Sequence, residues 1–194
     1  MNRIIVSLVL GTCMLLTGTA AIAGEKVQVK MTTSMGVIEL ALDDERAPDT
    51  VANFVRYAKE GFYDGTVFHR VIGNFMIQGG GFTRDLHEKS THAAIINEAD
   101  NGLKNNTGTI AMARTSDPHS ATSQFFINTK NNGFLNYRGK SRAGWGYAVF
   151  GNVTRGMDVV RSIEAVPTGN RYGMGDVPLK PVVIEHVEVV EQAG

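Results

Sequence analysis

From Val27 to Met31 apolar residues (Val27, Val29, Met31) alternate with polar ones (Gln28, Lys30). After a turn at Ser34-Met35-Gly36, Ile38, Leu40 and Leu42 alternate again. A period of two on both sides of a turn predicts a β-hairpin. The period then changes. Pro48 suits the first position of a helix, Val51, Phe54, Val55 and Ala58 follow at helical spacing, and Gly61 closes the segment. Short strand-like runs bounded by Gly, Asn and Asp come next, at Thr66 to Ile72, Phe75 to Gln78, Thr109 to Ala113 and Gln124 to Asn128. A second helix is predicted from Arg155 to Ala165, with Met157, Val160 and Ile163 on one side and Pro167 ending it. The last strand, Val182 to Val190, changes alternation phase near Glu185, as a bulge would make it do. No repeat, low-complexity tract or linker divides the chain. Many short strands separated by turn residues predict one mainly β domain, a closed antiparallel barrel with two helices over its open ends.

The first residues follow a different pattern. Met1-Asn2-Arg3 is a positive start, Ile4 to Leu16 is an apolar run with few polar breaks, and Ala21-Ile22-Ala23 is a small-x-small site. Together they read as a secretory signal peptide over 1–23, cleaved after Ala23, with a single domain over 24–194. The apolar run is too short and too early to stay as a membrane anchor. A lipoprotein reading of Leu10-Gly11-Thr12-Cys13 fails, because Thr12 stands where such sites prefer Gly or Ala and the run would be cut in half. The short signal is similar to bacterial ones, so a periplasmic location is expected.

Composition narrows the classes. The 194 residues carry 19 Lys+Arg against 19 Asp+Glu, which gives no electrostatic case for nucleic acid or an anionic membrane surface. With 43% hydrophobic residues, 22 Gly and 5 Pro, the chain is globular rather than disordered or collagen-like. Its one cysteine, Cys13, falls in the signal peptide, which excludes a disulfide framework or a Cys-based zinc cluster. A thiol-free exported chain suits an oxidising compartment.

Several candidate motifs dissolve on inspection. Gly139-Lys140-Ser141 lacks the earlier glycine of a phosphate-binding loop, since position 134 is Phe. Gly79-Gly80-Gly81 has no later glycine of a dinucleotide fingerprint and reads as tight backbone packing after a strand. There is no Gly-x-Ser-x-Gly elbow. His87 and His92, with Glu88 between them, lie in a polar loop with no further clustered ligand and read as solvated. Asn105-Asn106-Thr107 and Asn152-Val153-Thr154 are glycosylation triplets without meaning in most bacterial exports. Arg70 is harder to dismiss. A guanidinium in the middle of the apolar run Phe68-His69-Arg70-Val71-Ile72 cannot shed its charge, so it must reach solvent, pair with an acid, or face a site.

Phe68-His69-Arg70-Val71-Ile72 with Phe75-Met76-x-Gln78-Gly79-Gly80, and Ser123-Gln124-Phe125-Phe126-Ile127, resemble the two hallmark blocks of the cyclophilin family. Ala47-Pro48-x-Thr50-Val51-x-Asn53-Phe54 is similar to the family's first helix, and Val149-Phe150-Gly151 followed by Gly156-Met157 to the approach to its second. The resemblance spans essentially all of 24–194. It implies an eight-stranded antiparallel barrel capped by two α-helices, and peptidyl-prolyl cis–trans isomerase activity on proline-containing unfolded or exported polypeptides. It assigns Arg70 as the catalytic residue. Phe75, Met76, Phe126 and Leu135 would line the proline pocket, Gln78 would steady the guanidinium, and Ala113, Arg114 and Gln124 would contact the substrate backbone. His69 has a secondary role in the family. Phe134 and Tyr147 complete the substrate-binding set but depart from the eukaryotic pattern of Trp and His, and Arg114 replaces a common Asn. Weak cyclosporin binding is therefore expected. Since no ligand cluster or phosphate loop survives inspection, no metal and no cofactor are expected, and a monomer is expected. Two functions stay open: an isomerase assisting the folding of exported proteins, and a proline-peptide-binding holdase that kept the fold without the rate. Arg70 favours the first. A nucleotide-dependent enzyme would rest only on the near-miss at Gly139-Lys140-Ser141.

Overall fold

A computed structural model describes residues 26–190. The proposed signal peptide, with Cys13, lies outside the described residues. Along the chain come β1 (Val27–Thr33), β2 (Gly36–Leu42), α1 (Pro48–Lys59), β3 (Thr66–Ile72), β4 (Met76–Thr83), β5 (Thr109–Met112), β6 (Phe125–Asn128), β7 (Val149–Arg155), α2 (Met157–Glu164), β8 (Thr168–Arg171), β9 (Met174–Pro178) and β10 (Ile184–Val190). Eight strands form one antiparallel sheet in the order β10-β1-β2-β7-β5-β6-β4-β3, and β8 pairs with β9 as a separate hairpin.

The sheet curls until its two edges meet. The seam is looser than the closed barrel expected from the sequence. It consists of a single bridge between Val67 and Val183, with Phe68 N donating to Val182 O (3.0 Å) and Gly65 N to Ile184 O (2.8 Å). Pro181, which has no N–H to give, precedes this stretch, and the regular ladder of β10 with β1 begins only at Ile184. The expected bulge is present. Thr32 faces His186 and Thr33 faces Ile184, so Glu185 is the extra residue.

The apolar alternation of β1 and β2 turns Val29, Met31, Ile38, Leu40 and Leu42 inward. They meet an aromatic cluster in which Phe54 of α1 lies 5.0 Å from Tyr63, 5.6 Å from Phe125 and 5.4 Å from Phe150. Pro48 opens α1 at a position where its missing N–H is not needed. Ala47 offers no side-chain cap, and the Glu98 carboxylate, 48 residues away, accepts from Thr50 N (2.8 Å) and Thr50 Oγ1 (2.6 Å) instead. The second helix starts two residues later than the apolar spacing predicts. Arg155 still belongs to β7, and Gly156 at φ 85 makes the corner, where a Cβ would collide with the Val37 carbonyl. The hairpin of β8 and β9 was not expected, since Thr168 to Pro178 shows neither alternation nor apolar content on which a strand reading could rest.

Candidate active site

Strand β3 carries an irregularity that decides the site. Phe68 faces Gly79 and Arg70 faces the next residue, Gln78, so His69 is an extra residue in the ladder. Simple alternation would put Phe68 and Arg70 on one face. The bulge re-phases the strand, so Phe68 and Val71 point into the barrel while Arg70 turns outward and stays exposed. This resolves the oddity of an arginine in an apolar run. His69 remains 6% exposed, packed 4.5 Å from the Phe82 ring, with Nδ1 lacking a hydrogen-bond partner. Burial pushes its imidazole down to about 4, and the neighbouring Arg70 charge acts in the same direction.

Across from it, Gly79-Gly80-Gly81 lies within β4 rather than after a strand. At Gly80 (φ +83) a Cβ would stand 2.7 Å from the Phe125 ring, so the glycine lets β4 lie flat over the aromatic core. Outward residues of four strands, Met76, Ala111, Phe126 and Val149, then form a second, smaller apolar cluster with Leu135 of the 3-10 turn over Gly133–Leu135. It floors a cavity of about 220 Å³ lined by Arg70, Phe75, Met76, Gln78, Ala113, Arg114, Phe126, Leu135 and Tyr147. Every expected site residue except Gln124 and Phe134 is therefore gathered around one space.

Those two stand at its margins. Gln124 lines an adjoining cavity of about 170 Å³ that shares Gln78, Ala113 and Arg114 as a wall. Its Oε1 accepts from Gln78 Nε2 at 3.1 Å, and Ala113 N donates to Gln124 O at 2.9 Å. Phe134, on a 3-10 turn over Gly133–Leu135, is 64% exposed and stacks on Phe75 at 5.6 Å. It forms the outer rim.

Arg114 lies flat over the Tyr147 ring, its guanidinium carbon 4.6 Å from the ring centre. It is tied down by Nε to Gly146 O and Nη1 to Thr115 O, both 2.8 Å. Tyr147 in turn meets Phe126 edge-on at 5.6 Å. Arg70 has a different partner from the one the resemblance implies. Gln78 bonds Gln124, and the acid beside Arg70 Nε is Asp176 of β9, with Oδ2 at 3.7 Å. Asp176 holds a left-handed backbone (φ 61), which Asp tolerates better than most residues. No periodicity marked it, because it belongs to the hairpin that the pattern did not show. Among the described residues no three His, Cys, Asp or Glu side chains are grouped to hold a metal, and no helix is long and apolar enough to cross a membrane.

The surroundings suit a small apolar ring beside a polarisable bond: a hydrophobic floor, with the Arg70 guanidinium and the polar side chains of Gln78 and Arg114 lining the same cavity. Known proteins resemble this sequence and share this fold. Residues 28–189 match the family model described as cyclophilin type peptidyl-prolyl cis-trans isomerase/CLD. The chain is 60% identical over 162 residues to peptidyl-prolyl cis-trans isomerase cyp18 of Streptomyces antibioticus, covering 84% of this chain and 98% of the relative. It is 55% identical to peptidyl-prolyl cis-trans isomerase B of Escherichia coli, covering 82% and 97% respectively. It is 48% identical to peptidyl-prolyl cis-trans isomerase A of Dickeya dadantii, covering 98% and 99%. A crystal structure of a Cryptosporidium parvum cyclophilin type isomerase shares the fold, with TM-score 0.70 at 24% identity over 85% of this chain and 99% of that one.

Proposed function

The chain belongs to the cyclophilin-type peptidyl-prolyl cis-trans isomerase family, and on that premise we propose that it isomerises Xaa-Pro bonds of exported polypeptides, with Arg70 as the catalytic residue. In this reading residues 1–23 are a cleaved signal peptide, and 24–194 act in the periplasm as a monomeric isomerase without cofactor. The observation that carries it is the convergence of one outward-turned guanidinium with Phe75, Met76, Phe126 and Leu135 on a single cavity.

The chemistry asks for little else. Rotation about an Xaa-Pro bond faces roughly 18–20 kcal/mol because the amide keeps partial double-bond character. No covalent bond is made or broken, so the reaction needs neither nucleophile nor general base. In the twisted state resonance is lost, and the prolyl nitrogen becomes pyramidal and able to accept a hydrogen bond. Arg70 meets that developing lone pair with a permanent charge and a planar set of donors. The apolar floor holds the ring and excludes water while the preceding carbonyl turns. Gln78, Gln124, Ala113 and Arg114 line the path along which the substrate backbone would lie. A holdase would need the pocket but not the cation over it, so Arg70 favours the enzyme. The exposed Phe134 at the rim supports weak cyclosporin binding.

The test is catalytic efficiency beside proline-peptide affinity in Arg70 variants whose folding is checked by circular dichroism. Arg70→Ala should lower the rate by about 10²–10³-fold, as loss of one preorganised donor does. Arg70→Lys should recover only part, since an ammonium lacks the planar fork. Peptide affinity should fall far less than the rate. Near-normal turnover by folded Arg70→Ala would overturn the assignment.

A further inference from the structure

Behind the pocket three asparagines, Asn105, Asn128 and Asn132, are 1%, 0% and 2% exposed. Buried amides are expensive unless every polar atom is used, so three in contact point to a task. Their side chains form one chain with all donors aimed the same way. Asn132 Nδ2 donates to Asn128 Oδ1 (2.7 Å), and Asn128 Nδ2 donates to Asn105 Oδ1 (3.2 Å). Head-to-tail order of this kind lets each bond polarise the next.

Both ends of the chain finish on pocket residues. Asn132 Nδ2 also donates to Phe75 O at 2.9 Å. Asn105 Nδ2 reaches Leu135 O at 3.3 Å and Tyr147 O at 3.4 Å. The main chain repeats the link, with Asn132 N donating to Asn105 O at 2.7 Å and Tyr147 N to Leu135 O at 3.0 Å. Phe75, Leu135 and Tyr147 come from three separate segments of the sequence, and no strand ladder joins them to one another. Arg70, on β3, makes no hydrogen bond to any of the three amides.

We propose that Asn105, Asn128 and Asn132 are positioning residues that set the spacing between the walls of the proline pocket and thereby its affinity, leaving the step at Arg70 untouched. The inference rests on the reading of this cavity as the proline site. It follows from connectivity: an amide chain spanning from Phe75 to Leu135 and Tyr147 fixes how far apart those walls stand, whereas the guanidinium is held from the other side by β3 and Asp176.

Asn128→Leu tests it, because it removes the central donor and acceptor with little change in volume. The probe is a short Xaa-Pro peptide followed by NMR, which yields both its dissociation constant and its cis–trans exchange rate when bound. The expected result is a dissociation constant raised about 10-fold, with the bound exchange rate within twofold of wild type, the reverse of the Arg70→Ala pattern. Asn132→Ala, which removes the donor shared by Phe75 O and Asn128 Oδ1 while Thr129 N still reaches Phe75 O, should raise it about threefold and serves in place of Asn128→Leu if that variant does not fold. Unchanged affinity in a folded variant, or a bound rate that falls while affinity holds, would overturn the proposal. Failure of wild type to bind the peptide would sink the pocket reading itself, an outcome distinct from wild-type binding that the asparagine variants match.

Discussion

On the inner face of β4, β5, β6 and β7 stand Ile77, Ile110, Met112, Phe125, Ile127 and Phe150, while the outer face of the same strands presents Met76, Ala111, Phe126 and Val149. Both faces are apolar and almost wholly buried. They differ in what completes them. The inner face is closed by side chains from every direction, with Phe54 and Tyr63 packed against Phe125. The outer face is completed by loops, held by asparagine amides and by Arg114 on Tyr147, and it leaves a space open. A strand period of two gives a protein two faces at once, and here one closes into the core while the other borders an open cavity, the proposed proline site.

Adjacent residues of β6 offer the strongest test of that division. Phe125→Ala should lower unfolding free energy by about 3–5 kcal/mol, because the dense aromatic cluster around it cannot collapse into the hole. Phe126→Ala should lower it by less than about 2 kcal/mol, since the pocket already opens to solvent and water can enter. The order reverses for function, with Phe126→Ala losing proline-peptide affinity and Phe125→Ala keeping it when folded. Urea unfolding and peptide titration on both variants would check this, and equal stability losses would break the comparison.

The pattern of apolar positions was enough to place β1, β2, α1 and the bulge at Glu185, because each rests on local alternation that packing then uses. It could not show the hairpin of β8 and β9, where Gly169, Gly173 and Gly175 replace side chains that would carry a period. The resemblance named the residues around the cavity, yet no local rule showed how Arg70 reaches it. Alternation counts Phe68 and Arg70 onto one face, and only pairing with β4 reveals the extra residue between them. Asn105 was hidden differently. Within Asn105-Asn106-Thr107 it looks like an exposed acceptor of sugar, and its burial depends on Leu135 and Tyr147, 30 and 42 residues further on.

His69 sits at the residue where the two faces change places, and it gives a pH signature. The unfolded imidazole takes up a proton near its ordinary value of about 6.5, whereas the buried one holds out until about 4. Between these values the unfolded chain binds more protons, so stability is fully present above the upper limit and falls as pH drops toward the lower one. The loss should reach roughly 3 kcal/mol, at 1.36 kcal/mol per pKa unit. Urea midpoints measured from pH 7 to pH 4 for wild type and His69→Gln would isolate it from the carboxylates. The variant's curve should be flatter by about that amount, and parallel curves would show that the imidazole is not excluded from protonation.

The smallest expected effect lies at the rim. Phe134 is the most exposed of the side chains expected at the site, and its one aromatic contact is the stack on Phe75. Its distance from the cavity floor means that changing it should alter what lies across the mouth more than what happens beneath. Phe134→Trp adds contact area and an indole N–H donor, each useful to a large cyclic peptide spanning the rim and neither needed by a prolyl ring. Cyclosporin affinity should rise about 5–10-fold, the scale of one added aromatic contact, while turnover stays within twofold. Calorimetric titration beside an isomerase assay reads both quantities. An unchanged affinity would move the cause of the expected weak binding to Tyr147 and Arg114, whose stacked pair lines the same cavity. A turnover that fell with the substitution would place Phe134 inside the working pocket and shift the boundary between rim and floor.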